Sequence, residues 1–285
     1  MEITARSPAK INLFLKVTGK RPDGYHEILS VMQMVELFDT LAFKPDPSGG
    51  LSLKVGGMDA PSDKTNLVIK AAEALREWAG VGLGARIELD KKIPVSAGLG
   101  GGSGNAAVAL KSLANLWRID ITREDMERIA LSIGADVPFF LNGPCAAVTG
   151  VGEKIRPVNP CKSVPVLLVK PDFGISTAEA YKNSRFDFAP FNADGGMVDD
   201  AVSGDPARMA PRMVNDLMPW AMETHPALAR LKERIEAANP APVRVMMSGS
   251  GPTLFALYDT EKDCERAAEV LNGAAPFVMA TRTVV

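Results

Sequence analysis

Apolar and polar positions change period several times along the 285-residue chain, and each change predicts an element. Residues 2–18 alternate and are rich in β-branched side chains, which predicts strand, interrupted at Ser7-Pro8. Arg21-Pro22-Asp23-Gly24 predicts a turn, because proline presets φ and glycine accepts positive φ. Residues 26–44 read as extended up to Pro45, 46–50 as a loop and 51–55 as a short strand. After Lys64-Thr65-Asn66 the spacing becomes helical, with Leu67, Ala71, Ala74, Leu75 and Trp78 on one face, and residues 86–89 return to strand. Helices follow at 105–117, with Ala106, Ala107, Leu110, Leu113, Ala114 and Trp117 inward, and at 122–132. Residues 145–158 predict a hairpin and 164–169 a buried strand. The second half reads as helices at 177–184, 206–218 and 226–238, the last with Leu228, Leu231 and Ile235 inward. It closes with strand 243–247, the turn Ser248-Gly249-Ser250-Gly251-Pro252, strand 253–258, helix 261–272 and strand 277–284. Residues 185–205, with Phe186, Phe188, Phe191 and Gly195-Gly196, stay unassigned: a flap over a ligand or a surface insertion. Strands and helices mix without a βαβ repeat, so the predicted class is an α+β sandwich, not a doubly wound sheet. Asn159-Pro160-Cys161-Lys162 is the candidate boundary between two halves, 1–159 and 160–285.

Composition narrows the partners. A net charge of −2 provides no global field to recruit nucleic acid or an acidic membrane, so any anionic ligand depends on local cations and backbone N–H groups. The 46% hydrophobic and 23% charged content is that of a folded chain. Cys145, Cys161 and Cys264 form no C-x-x-C pair, and the histidines are only His26 and His225, so zinc and histidine-built metal centres are not expected. The first residues do not resemble a signal peptide, and no apolar run reaches the length of a membrane span. The expected location is the cytoplasm.

The strongest local signal is Gly98-Leu99-Gly100-Gly101-Gly102-Ser103-Gly104, which feeds a well-patterned helix. Glycines let backbone approach a ligand closely, and a helix N-terminus offers unpaired N–H donors with partial positive charge. Together they predict a phosphate cradle, against the plainer reading of a flexible surface loop. No Walker A pattern is present. Gly102-Ser103-Gly104-Asn105-Ala106-Ala107 fits a dinucleotide fingerprint, but a loop containing Pro94 separates strand from glycines, which a Rossmann unit does not allow. No serine sits in G-x-S-x-G, which argues against a serine hydrolase.

Four weaker segments accompany it. Lys10 and Asn12 interrupt an apolar strand, where an isolated lysine usually faces water. Asp136 lies in Gly134-Ala135-Asp136-Val137-Pro138, which also reads as a helix-to-loop cap. Tyr25-His26 follows the Asp23-Gly24 turn, and Ser248-Gly249-Ser250-Gly251-Pro252 is a second glycine turn that reads equally as a hairpin.

Taken in order, these segments resemble the galactokinase, homoserine kinase, mevalonate kinase and phosphomevalonate kinase (GHMP kinase) superfamily. The text Ala9-Lys10-Ile11-Asn12-Leu13, Arg21 to His26, Gly134 to Phe140 and Ser176-Thr177 is most similar to its branch acting on a cytidine diphosphate-linked methylerythritol. The resemblance covers nearly the whole chain. It implies a two-lobed α+β fold with the active site between an N-terminal ATP-binding lobe, 1–159, and a C-terminal lobe, 160–285. It implies transfer of the γ-phosphoryl of ATP, with Mg²⁺, to the 2-hydroxyl of that substrate. Lys10 and Asp136 match the catalytic pair. Pro94, Val95, Ser96, Ala97, Gly98, Leu99, Gly100, Gly101, Gly102, Ser103 and Gly104 match the ATP phosphate site, and Asn66 lines the nucleotide pocket. Asn12, Tyr25, His26, Thr177, Tyr181, Gly249, Ser250 and Gly251 match the substrate site, with Tyr25 and Tyr181 sandwiching cytosine. No metal ligand is assigned. The chain departs from many members at Gly104-Asn105, where they have Ser or Ala followed by Asp; Asn105 is expected to cap the helix instead. The rivals are another kinase of the superfamily, of homoserine or mevalonate type, and a non-catalytic sugar or nucleotide sensor on the same fold.

Overall fold

The computed structural model describes residues 2–188 and 196–285; Phe191 and Gly195 of the unassigned stretch lie outside the described residues. Two long strands open the chain, β1 (Ile3–Lys20) and β2 (His26–Asp46), and they pair with each other. The described residues group into two compact units, and both strands contribute to each.

The first unit holds the chain up to Ala9, Leu37–Val95 and Gly100–Asn142. Here β3 (Leu51–Gly57) runs parallel to β4 (Gly84–Lys91), and β4 runs antiparallel to the end of β2, with Leu41 opposite Leu89 and Phe43 opposite Ile87. Helix α1 (Leu67–Ala79) starts at Asn66, whose side chain accepts from Val68 N, and ends at Gly80 with φ 64°. Its buried face is Val68, Ile69, Ala71, Ala72 and Leu75; of the expected face, Leu67, Ala74 and Trp78 are not on it. Helix α2 (Gly101–Trp117) is buried over most of its surface, and α3 (Arg123–Ile133) is capped by Thr122.

The second unit holds Lys10–Glu36, Ser96–Leu99 and Gly143–Val285. The start of β2 pairs with β5 (Cys145–Gly150), which forms the expected hairpin with β6 (Lys154–Val158). A separate antiparallel sheet has the order β10-β7-β9-β8, built from β7 (Pro165–Lys170), β8 (Arg244–Met247), β9 (Leu254–Leu257) and β10 (Phe277–Arg282). Helix α4 (Thr177–Asn183) follows β7, and α5 (Met197–Ser203) lies in the stretch left unassigned. Then come α6 (Pro206–Met209), α7 (Met218–Thr224), α8 (Pro226–Glu236) and α9 (Glu261–Val270). Leu228, Leu231 and Ile235 of α8 enter the core with Leu167, Val169, Met247 and Leu254, as their spacing requires.

Three local expectations are corrected. Strand β1 runs unbroken through Ser7-Pro8, because proline removes only its own donor. The single helix expected over 206–218 is split: residues 214–216 bond to β1 instead, with Leu15 N donating to Val214 O at 2.8 Å and Asp216 N to Leu15 O at 3.0 Å. Helix α2 starts at Gly101, four residues earlier than expected, so Asn105 is interior and Gly100 is the N-cap.

That early start gives the glycines separate tasks. A Cβ on Gly101 would lie 2.8 Å from Ile93 Cγ2, and one on Gly104 would lie 2.8 Å from Ser7 Oγ and 2.9 Å from Pro8 O. Gly104 thus lets β1 lie against the helix, where a Ser or Ala side chain would be crowded. Gly104→Ala gains about 1 kcal/mol of helix propensity but overpacks at a cost of about 1–3 kcal/mol. Because Pro8 O belongs to a strand backbone, the cost should prevail, and thermal unfolding should show a Tm lower by a few degrees. An unchanged or raised Tm would mean that β1 gives way.

Candidate active site

In the second unit, sequence-distant candidates converge on Lys10. Its side chain is only 3% exposed, so it is not the water-facing lysine that an edge strand would carry. Lys10 Nζ donates to Asn12 Oδ1 at 2.7 Å, Asn12 Nδ2 to Ser30 Oγ at 2.8 Å, and Ser30 Oγ to Phe14 O at 2.6 Å. This chain of bonds fixes the ammonium on β1 and leaves no freedom at the Asn12 amide. Lys10 N also donates to Leu99 O at 2.9 Å, which joins the strand to the glycine loop.

The two glycine segments meet. Ser248 Oγ donates to Gly98 O at 2.9 Å, and Thr253 N to Ala97 O at 3.3 Å. Gly98 has φ 74°, and a Cβ there would collide with Ser248 O, so only glycine fits. Gly249, with φ 56°, faces Lys10: an added Cβ would lie 3.2 Å from Nζ, 3.3 Å from Gly98 O and 3.4 Å from Asn12 Oδ1. Ser250 Oγ and Thr177 Oγ1 share a 2.8 Å hydrogen bond at the start of α4. Ser96 has φ 50°, and Gly251 has φ 83°.

One turn along α4 from Thr177, the Tyr181 ring stacks on His26, with centroids 5.2 Å apart and planes at 27°. Phe186 tilts against His26 at 5.3 Å. Tyr25 is 63% exposed on the turn that Arg21 N closes by donating to Tyr25 O at 2.7 Å. The ring that meets Tyr181 here is therefore that of His26. Burial, and next the charge of Lys20, lower the His26 pKa below its ordinary value. At neutral pH the imidazole then has one donor and one acceptor nitrogen.

The remaining candidates belong to the first unit. Gly100, φ 67°, turns the loop into α2, whose first N–H groups receive no side-chain cap and which has no acid in its first turn. That leaves donors and the positive helix end available to an anion. Pro94 is buried and Val95 exposed beside it. Asn66 has both ends of its amide occupied, Oδ1 by Val68 N and Nδ2 by Pro61 O at 2.6 Å, so its visible work is capping α1. Asp136, half-buried, sits in the turn between α3 and the 3-10 segment Pro138–Leu141. Asn105 Oδ1 and Ser7 Oγ are buried without a hydrogen-bond partner in the protein. Among the described residues no three His, Cys, Asp or Glu side chains gather to hold a metal ion.

Sequence reasoning missed Ser30, Ser248 and Asn215, all buried. Ser248 was within a flagged turn, whereas Ser30 and Asn215 lie in stretches that read as plain strand and helix. No helix among the described residues is long and apolar enough to cross a membrane.

Comparison with known proteins identifies the family. The family model for the GHMP kinases N terminal domain matches residues 66–144, and that for the GHMP kinases C terminal matches residues 197–276. Fold and domain matches define an ATP-dependent small-molecule kinase. The chain is 43% identical over 284 residues, 99% of its length and 98% of the relative's, to the 4-diphosphocytidyl-2-C-methyl-D-erythritol kinase of Pelotomaculum thermopropionicum (strain DSM 13744 / JCM 10971 / SI). A crystal structure of 4-(cytidine 5'-diphospho)-2C-methyl-D-erythritol kinase matches with a TM-score of 0.84 at 33% identity, covering 99% of this chain and 100% of that one. The chain belongs to the 4-diphosphocytidyl-2-C-methyl-D-erythritol kinase family of GHMP kinases. The likeness to homoserine kinase from Cytophaga hutchinsonii ATCC 33406, TM-score 0.76 at 17% identity over 100% of this chain and 95% of that one, shows the fold alone.

Proposed function

We propose that the chain transfers the γ-phosphoryl group of ATP to the 2-hydroxyl of 4-(cytidine 5'-diphospho)-2-C-methyl-D-erythritol, a step of non-mevalonate isoprenoid biosynthesis, using Lys10 and Asp136 as its catalytic pair. The observation that carries the site assignment is the buried Lys10 ammonium, held by Asn12 and surrounded by backbone of both glycine segments. Phosphoryl transfer asks a protein chiefly for positioning and charge stabilisation. Residues 94–104 would cradle the ATP phosphates, the free N–H groups of α2 meeting their charge. Lys10 would offset charge near the attacking oxygen, and Asp136 would orient the hydroxyl and take its proton. Asn12, Thr177 and residues 249–251 would contact the substrate. Asn66 would border the nucleotide through the loop that it caps. The described residues do not form a cage for Mg²⁺, so no residue is assigned to the ion and no step is derived through it.

The cluster of His26, Tyr181 and Phe186 favours a substrate with a base over homoserine or mevalonate, which have none to stack. Stacking accepts any base, so choosing cytosine falls to hydrogen bonds, for which the neutral His26 ring has one donor and one acceptor. The retained Lys10 and Asp136 favour a catalyst over a sensor. ATP consumption measured with the cytidyl substrate against homoserine, mevalonate and galactose tests the reading; turnover with any of the last three above that with the first overturns it. Tyr25→Ala removes an exposed ring and should leave Tm unchanged. It should raise KM for the cytidyl substrate by roughly 5- to 150-fold, the equivalent of ~1–3 kcal/mol of stacking, with KM for ATP constant. An unaltered cytidyl KM removes Tyr25 from the base site.

A further inference from the structure

Asn215 lies between α6 and α7, in the short segment that bonds to Leu15 of β1. It is 4% exposed, and its amide is fully engaged with main chain. Nδ2 donates to Met247 O at 2.7 Å and to Gly249 O at 2.8 Å, and Oδ1 accepts from Leu217 N at 2.9 Å. The two carbonyls bracket Ser248, so one side chain spans the entry of the second glycine turn. The neighbours of Asn215 are tied to the strand that carries Lys10 and Asn12, while its side chain is tied to the turn that faces them.

We propose that Asn215 is a positioning residue for phosphoryl transfer: it holds Gly249 at its distance from Lys10 without itself touching substrate. The proposal rests on the assignment of Lys10 made above. The turn has internal bonds of its own, Ser248 N to Thr253 O at 2.9 Å and Gly251 N to Ser248 O at 2.9 Å, which would keep it closed without Asn215. What Asn215 adds is the tie to the segment beside β1. A second tie, Ser248 Oγ to Gly98 O, holds the same turn to the ATP loop. Buried main-chain carbonyls that lose a donor shift toward other partners. A displacement of about 1 Å at a reacting site is enough to lower a rate by roughly 10²-fold.

The test compares wild type, Asn215→Ala, Ser248→Ala, the double variant and Lys10→Ala, each assayed well below its measured Tm with ATP and the cytidyl substrate. Asn215→Ala is expected to unfold cooperatively, to lose roughly 10²-fold in kcat, and to keep KM for ATP within about threefold, with any rise in KM for the cytidyl substrate smaller than the fall in kcat. Because both ties act on one turn, the double variant is expected to lose little more than the worse single one. Should Asn215→Ala fail to fold, Asn215→Ser, whose hydroxyl can donate to one carbonyl, takes its place with a smaller expected loss in kcat. A folded variant with kcat within about threefold of wild type, or a double variant whose losses simply multiply, overturns the proposal. Normal turnover in Lys10→Ala would instead show that the assignment of Lys10 has failed.

Discussion

Asp136→Asn is expected to lower kcat by about 10²–10⁴-fold, the usual worth of a positioned general base. That factor corresponds to roughly 3–5 kcal/mol of barrier. The substitution is isosteric, and the turn around it is held by backbone, with Val137 N donating to Gly134 O at 3.0 Å and Phe140 N to Val137 O at 3.2 Å. Val137, Pro138 and Phe139 behind it are buried and anchor the turn. The fold and the binding of both substrates should therefore survive, and the loss should fall on turnover. An amide can still accept a hydrogen bond from the hydroxyl, so orientation is partly kept, but it cannot take the proton. Coupled measurement of ADP release, beside Tm and KM for each substrate, checks the result. Turnover within a few-fold of wild type in a folded variant would remove Asp136 from the role of base.

The sequence was legible wherever one face of an element decides its fate. The face of α8 and the hairpin of β5 and β6 follow from spacing and turn residues alone. Helix α2 did not read correctly at its start, because Gly101 and Gly104 lower helix propensity, while Ile93, Ser7 and Pro8 demand their smallness. Tertiary contact overrode the local preference, and no pattern within 98–107 reports it. The split after α6 has the same origin: residues 214–216 find partners on β1, some 200 positions away, as the bond from Val17 N to Asp216 shows. For the site, glycine runs and an isolated lysine marked the segments, but their meeting could be expected only through resemblance to a family. Periodicity cannot place residue 249 beside residue 10. Asn215 and Ser30 escaped because their work is hydrogen bonding to groups distant in the chain, which leaves no trace in composition. Asp39 is a similar case, since within Glu36-Leu37-Phe38-Asp39-Thr40 it reads as one more polar position of a strand.

Asp39 is fully buried, and its removal should cause the largest loss of stability of any change considered. Asp39 Oδ2 pairs with Lys91 Nζ at 2.6 Å, while Oδ1 accepts from Lys92 N at 2.7 Å and Ile93 N at 2.8 Å. Lys91 Nζ also donates to Ile93 O at 2.6 Å and lies 3.0 Å from where a Cβ on Gly101 would sit. The pair thus anchors the segment entering the glycine loop against the first residue of α2. Burial opposes the charge on Lys91 more than Asp39 supports it, so its pKa is below the ordinary lysine value. Such a pair adds little net stability against an apolar equivalent, yet breaking it strands a charge, at about 3–5 kcal/mol. Asp39→Ala also orphans two backbone donors, whereas Lys91→Met leaves Asp39 with both. Asp39→Ala is therefore expected at or above the top of that range and Lys91→Met near the bottom. At about 2–4 °C per kcal/mol for a chain of this size, Asp39→Ala should lower Tm by roughly 10 °C or more. The two variants should also raise KM for ATP before KM for the cytidyl substrate, because the disturbed backbone leads into the loop proposed to hold the ATP phosphates. Thermal unfolding of both, with KM measured below the lower Tm, decides it; a fall of Tm under about 2 °C in Asp39→Ala would mean that water replaces the carboxylate at little cost.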